Sequence, residues 1–247
     1  MLSLIDPVTL LLASLIIFTG ALTQSLIGFG LAVVATPLLY IVDPELVPAP
    51  VIAMGFSIAL LTLVRERGHL EFNGLQYALL GRLPGGLIGA TLLLLAPQPI
   101  LGLTIALIVA VAVFLSLRKY SIKINRLSLF IAGIFSGIFG TVAAIGGPPM
   151  ALLLAGKDAS QFRAALSAFF IFSSLIALII LGCFGLLTLR HLWLSLLLLP
   201  SVFLGFLVAS RLVGRVDKEK TRVLTLALCA LSALLLTIKS SLALING

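Results

Sequence analysis

Few residues in this chain have the chemistry to handle a ligand, and they collect where two apolar runs are broken. The first break is Gly28-Phe29-Gly30, followed by Thr36 and Pro37; the second is Gly140-Thr141, followed by Gly146-Gly147-Pro148-Pro149. A backbone that leaves helical geometry inside a bilayer exposes N–H and C=O groups, and it is tolerated only where protein or a water-lined cavity covers them. A short helix restarts after each break, at about Leu31 and about Pro149. Its first N–H groups have no partner within the helix, and its dipole places partial positive charge there. Two such N-termini turned toward one cavity form a site for an anion.

The side chains around the breaks fit that chemistry. The glycines let amides approach a ligand with no Cβ in the way. Pro148 or Pro149 suits an opening helical turn, where the missing N–H is no loss. Gln24 and Thr141 could add donors, and Thr36 lies in the same element as the first break. The candidate substrate-binding residues are therefore Gln24, Gly28, Phe29, Gly30, Thr36, Pro37, Arg82, Gly140, Thr141, Gly146, Gly147, Pro148 and Pro149. Phe29 and Phe139 are candidate apolar gates. Arg82 is the one basic residue well inside an apolar span; it either faces a cavity and serves function or snorkels back to the interface. The opposing view of the breaks is that their Gly and Pro only kink helices. Gly81-Gly85-Gly89 and Gly133-Gly137 have the small-xxx-small spacing of close helix packing.

The elements that must position these residues follow from composition. The chain has 247 residues, of which 61% are hydrophobic and 10% charged, with a mean hydropathy of +1.30. A soluble domain is about 45–50% apolar and about 25% charged, so this chain has the bilayer as its solvent. Its net charge of +8 comes from residues between apolar runs rather than from a nucleic-acid-binding patch. Cys183 and Cys229 both lie in apolar segments and give neither a disulfide framework nor metal-ligand spacing; no metal or cofactor is expected. The stretch Met1–Thr9 lacks a basic n-region, so it reads as the approach to a membrane segment rather than as a cleavable signal.

About 20 apolar residues cross the hydrocarbon core. Residues 46–64, 74–95, 99–117, 163–183, 189–210 and 221–239 fit that length, whereas 8–41 and 127–155 are too long for one straight crossing and carry the breaks. Gly28–Pro37 aligns with Gly140–Pro149, and Pro84 with Gly89 matches Pro200 with Gly205 at the same spacing. The expected fold is an all-α polytopic membrane protein of two repeats, 1–117 and 127–247. Each is a broken-helix hairpin plus three transmembrane helices, and a basic cytoplasmic linker, 118–126, joins them.

Charge indicates how the broken segments sit. If all eight segments crossed fully, the basic residues would divide almost evenly between the two sides. If each broken segment enters and leaves on one side, then of the 16 Lys and Arg all but Arg82, Arg190 and Lys239 face one side. The positive-inside rule favours the second arrangement, which makes the two repeats inverted and puts both termini outside. The acids Asp6, Asp43, Glu45, Glu66, Glu71, Asp158, Asp217 and Glu219 fall in loops or at segment ends. No mid-span carboxylate remains for a cation or a proton relay, so proton coupling would travel with the substrate. His69 and His191 sit at loop boundaries. Without a Ser–His or Asp–Asp pairing, an enzyme is not expected.

Gly137 through Gly146-Gly147-Pro148-Pro149, the downstream Phe162-Arg163-Ala164-Ala165-Leu166, and Gly28-Phe29-Gly30 through Thr36-Pro37 together resemble the TauE/SafE, or sulfite exporter, family of membrane transporters. The resemblance spans nearly the whole chain, although the first break lacks the glycine run often found before that proline. It implies transport of a small sulfur-containing oxyanion, sulfite or an organosulfonate, across a bacterial inner membrane. The partners expected are that anion and the lipid bilayer, with no nucleic acid; a homo-oligomer is compatible with the chain. The alternative is a non-transporting assembly or stabilising subunit of a membrane complex.

Overall fold

The computed structural model describes residues 5–70, 74–117, 124–213 and 218–246. These form ten α-helices and no strand among the described residues: α1 (Pro7–Ile27), α2 (Leu31–Val42), α3 (Ala49–Glu66), α4 (Leu75–Leu95), α5 (Gln98–Leu117), α6 (Arg126–Ala143), α7 (Gly147–Leu154), α8 (Ala159–Cys183), α9 (Leu189–Leu212) and α10 (Lys218–Asn246). Eight are long and apolar enough to cross a membrane, namely all but α2 and α7. Each broken run thus resolves into one full-length helix and one short helix, rather than two halves of a crossing. Of the basic linker, 118–123 lies outside the described residues, as do Glu71, Arg215 and Asp217; Arg126 already opens α6.

Local chemistry sets the helix ends. Asp6 caps α1 by accepting from the Thr9 N–H at 3.1 Å, and Pro7 follows at the first helical position. Asn125 with Ser128 and Thr188 with His191 form reciprocal capping boxes on α6 and α9. At the first break Gly28 and Gly30 have φ of 108° and 129°, which only glycine adopts without strain. The chain turns back there, so that Leu31 lies against Gly20 and its N–H donates to Gln24 Oε1 at 3.2 Å. The second break spans Ala144–Gly146, and α7 opens at Gly147, two residues before the expected Pro149. Proline's fixed φ and missing N–H let Pro148 and Pro149 sit inside that first turn. This chain also turns back, bringing Gly146 beside Ser136.

Helix packing places the breaks centrally. Helix α4 packs on α6, α1 on α9, α3 on α8, α5 on α10, α2 on α10, and α7 on α5. The α4–α6 seam is the tightest because it is made of glycine. A Cβ at Gly81 would strike the Phe130 carbonyl, one at Gly85 the Ile134 carbonyl, and one at Gly133 the Ala78 carbonyl. Gly205 also lies close to α1, 2.7 Å from its Cβ position to the Phe18 carbonyl.

The ends of the bundle are sorted by charge. Glu66, in the last turn of α3, accepts from Arg163 Nε at 2.8 Å and Arg65 Nε at 3.1 Å. Arg65 also donates to the Ser25 carbonyl at 2.7 Å and to Ser210 Oγ at 3.1 Å. At the opposite end of α3, Glu45 pairs with Arg190 at 2.6 Å, and the Lys239 ammonium donates to the Ile41 carbonyl at 2.8 Å. Glu66 does lie at a segment end, but it is buried rather than solvated.

Gly85→Ala is expected to lower the melting temperature of the detergent-solubilised protein, because overpacking such a contact costs about 1–3 kcal/mol. Gly182→Ala is the control, since a Cβ there meets open space. Equal melting temperatures for the two variants would mean that the α4–α6 backbones do not touch.

Candidate functional site

Arg82 sits where the glycine seam brings α4 against α6. It is only 2% exposed, so its stem does not snorkel to an interface; the guanidinium stays in the protein interior. Nε donates to the Ser173 carbonyl of α8 at 3.3 Å, and Nη1 donates to the Ser136 carbonyl of α6. Gly140 lies directly against the guanidinium, where a Cβ would collide with Nη1, Nη2 and Cζ. Among the described residues no carboxylate pairs with Arg82. A guanidinium has five N–H donors in a planar fork, and two carbonyls leave both donors and net charge unspent.

That charge faces a cavity of about 40 Å³ between the two breaks. Seven of the expected residues line it: Gln24, Phe29, Gly30, Arg82, Gly140, Gly146 and Gly147. Ala32 and Val33 of α2 also line it. The first main-chain bond of α2 runs from the Val34 N–H to the Gly30 carbonyl at 3.0 Å, so the Ala32 and Val33 amides have no acceptor within the helix. Gln24 plays two parts. Its side-chain oxygen takes the Leu31 N–H, which leaves its NH₂ group as the donor it can offer the cavity.

The other expected residues stand back from the cavity. Gly28 packs its turn on Phe162 and the stem of Arg163, with Cβ contacts of 3.2 Å and 3.1 Å. Thr36, fully buried, donates through Oγ1 to the Ala143 carbonyl at 2.7 Å and so ties α2 to the end of α6. Pro37 is buried within α2, and Pro148 and Pro149 within α7. Thr141 faces α4 beside Gly86 and Gly89, and its hydroxyl has no hydrogen-bond partner. Of the two candidate gates, Phe29 lines the cavity and meets Phe162 edge-on, ring centroids 6.5 Å apart. Phe139 packs on Phe135 instead, at 5.9 Å.

Ser173, Ser174, Phe170 and Gly55 also line the cavity, beyond the residues expected from the sequence. Ser173-Ser174 is an adjacent hydroxyl pair inside an otherwise apolar span, and that was the available signal. Gly55 and Phe170 carry none, because glycine and phenylalanine occur throughout the spans. Among the described residues no three His, Cys, Asp or Glu side chains come together as a metal site.

The arrangement is a small pocket with one unneutralised cation, hydroxyls and free amides, suited to an oxyanion. A family model, Sulfite exporter TauE/SafE, matches residues 12–236. The chain belongs to the TauE/SafE family. Membership in TauE/SafE makes it a multi-pass membrane protein of a transporter family whose members move sulfite or a related anion. Neither a curated protein nor a solved structure matches the chain.

Gly140→Ala places a methyl where the guanidinium lies. It is expected to weaken sulfite-dependent thermal stabilisation by at least about tenfold in apparent affinity, the loss of roughly one charge-assisted hydrogen bond. Gly156→Ala, whose Cβ position is open, should leave that affinity unchanged. A Gly140→Ala protein that binds sulfite normally would mean that the anion does not meet Arg82.

Proposed function

We propose that this TauE/SafE transporter carries a small sulfur oxyanion, sulfite before larger organosulfonates, through the cavity between the two helix breaks. The observation that carries this reading is the buried Arg82, which faces that cavity and has no carboxylate partner among the described residues. Leaving a buried cation uncompensated is unfavourable by several kcal/mol, and an anion entering the cavity supplies the missing charge. Water needs about 10–15 Å³ of such volume per molecule, so a cavity of about 40 Å³ holds about three. A four-atom oxyanion is comparable in size, whereas a sulfonate with a carbon chain requires the walls to part.

Two features support inverted repeats, 1–117 and 127–247, as the scaffold. The contacts pair off under exchange of the halves: α4 on α6 answers α9 on α1, and α5 on α7 answers α10 on α2, while α3–α8 and α5–α10 answer themselves. Arg65, Arg163 and Glu66 share one end of the bundle, and Arg190 and Lys239 share the other, as two re-entrant hairpins require. On this reading the arginine-rich end is cytoplasmic, both termini are outside, and the membrane is the inner membrane of a bacterium. Rocking of one repeat against the other would expose the site to each side in turn. Leu198, the counterpart of Arg82 on α9, is a buried apolar residue, so the site itself is asymmetric. Glu66 does not line the cavity and is occupied by two arginines, which leaves the substrate as the carrier of any coupled proton.

The test is uptake into proteoliposomes of the purified chain, comparing sulfite, a sulfonate, sulfate and a monovalent cation. Sulfite flux is expected, with no cation flux. Arg82→Gln should reduce kcat/KM for sulfite at least about 30-fold, the usual effect of removing one member of a buried charge pair. Gly146→Leu should abolish flux while the protein remains folded. A folded preparation that moves no anion, with Gly146→Leu changing only stability, would favour the assembly-subunit alternative.

A further inference from the structure

We infer that Ser136 orients the anion-binding amide at the second break, an assignment that rests on the anion site proposed above. Helix α7 is short of donors. Pro148 and Pro149 have no N–H, so within its first three positions only Gly147 offers one. That N–H has no acceptor among the described residues, and the Ala143 carbonyl four positions back is met by the Thr36 hydroxyl.

Which way the Gly147 N–H points is decided by the carbonyl on the other side of its peptide plane. In a trans peptide the C=O and the following N–H lie on opposite edges, and the 146–147 bond is trans. Ser136 Oγ donates to the Gly146 carbonyl at 2.7 Å. This pins the oxygen against α6 and turns the Gly147 N–H toward the cavity that both glycines line. From outside α7 the Ser136 hydroxyl is the one donor to that carbonyl among the described residues, and flanking glycines make it easier for the peptide to rotate once that donor is gone. The flipped plane would present a carbonyl oxygen to the anion, replacing attraction with repulsion.

Ser136 acts on the second positive group as well, since its own carbonyl accepts from Arg82 Nη1. It has 0% exposure and does not line the cavity. It is therefore a positioning residue that never touches the substrate.

The experiment uses the full chain and sodium sulfite as probe, with Ser136→Ala and Ser136→Cys compared in proteoliposomes. Ser136→Ala should raise KM for sulfite at least about tenfold while kcat stays within about threefold, because a binding donor is lost and the transport machinery is not. Cysteine, similar in size but a weaker donor, should fall between serine and alanine. The same order must appear in the sulfite concentration that half-maximally raises the melting temperature, a measurement that needs no transport. A lowered melting temperature with unchanged sulfite affinity in Ser136→Ala, or a cysteine variant no better than alanine, overturns the assignment. Wild-type protein that binds sulfite without moving it refutes the transport reading but still tests Ser136 through the melting series. Wild-type protein that neither binds nor moves sulfite overturns both.

Discussion

One guanidinium held in an apolar bundle without a carboxylate constrains everything around it. Arg82 cannot reach the membrane surface, and its charge cannot be left among methyl groups, so polar atoms must be brought to it. In a helix the carbonyls are already bonded along the axis, but their second lone pair is free. Reaching those lone pairs requires the helix carrying the arginine to lie almost in contact with its neighbour. Gly81, Gly85 and Gly89 on α4, with Gly133 and Gly137 on α6, remove the side chains that would hold the backbones apart. Gly140 then clears the space that the guanidinium fills. A seam that looks like generic membrane-helix packing is also what makes the buried cation affordable.

The helix breaks answer the same constraint from the other side of the cavity. A full-length helix running past Arg82 would present only bonded backbone. By stopping α1 at Ile27 and α6 at Ala143 and restarting each chain beside its own helix, the fold delivers unbonded amides to the middle of the protein. The cost is a set of orphaned carbonyls at the helix ends, which would repel an anion. Thr36 and Ser136 donate their hydroxyls to the carbonyls of Ala143 and Gly146, so the donors stay available while the acceptors are occupied.

The breaks were readable because they violate the requirement that backbone in a bilayer be internally bonded, and only Gly28-Phe29-Gly30 and Gly146-Gly147-Pro148-Pro149 do so twice in register. The expectation of an anion site at helix N-termini rests on polarity alone, and it stands here as a proposal. What could not be read was which neighbours of a break face inward. Thr36 and Thr141 have the same chemistry and similar positions in their segments, yet one bonds across to α6 and the other turns toward α4. That choice depends on the rotation of each helix about its axis, which a uniformly apolar span does not encode. Arg82 was open for the same reason: its long stem permits either fate until the glycine seam is seen to bury it. Ser173 and Ser174 do not stand out in the sequence, because serine in a span more often satisfies itself on its own helix.

That no carboxylate among the described residues pairs with Arg82 bears on the selectivity proposed for the cavity. A glutamate beside Arg82 would satisfy the guanidinium permanently, and a substrate would then have to displace it, losing most of what it gained. Backbone carbonyls are weaker partners: they orient the guanidinium through Nε and Nη1 without neutralising it. On the proposed reading, the same field that would attract an oxyanion would repel cations, with no separate filter needed. The acidic residue that the bundle does bury, Glu66, is kept at the end of α3 and held by Arg65 and Arg163, where it secures the Gly28 turn against α8 and cannot compete for the site. Separating the ion pairs at the bundle's ends from the buried Arg82 in this way lets the ends be stabilised by charge while the centre remains one negative charge short among the described residues.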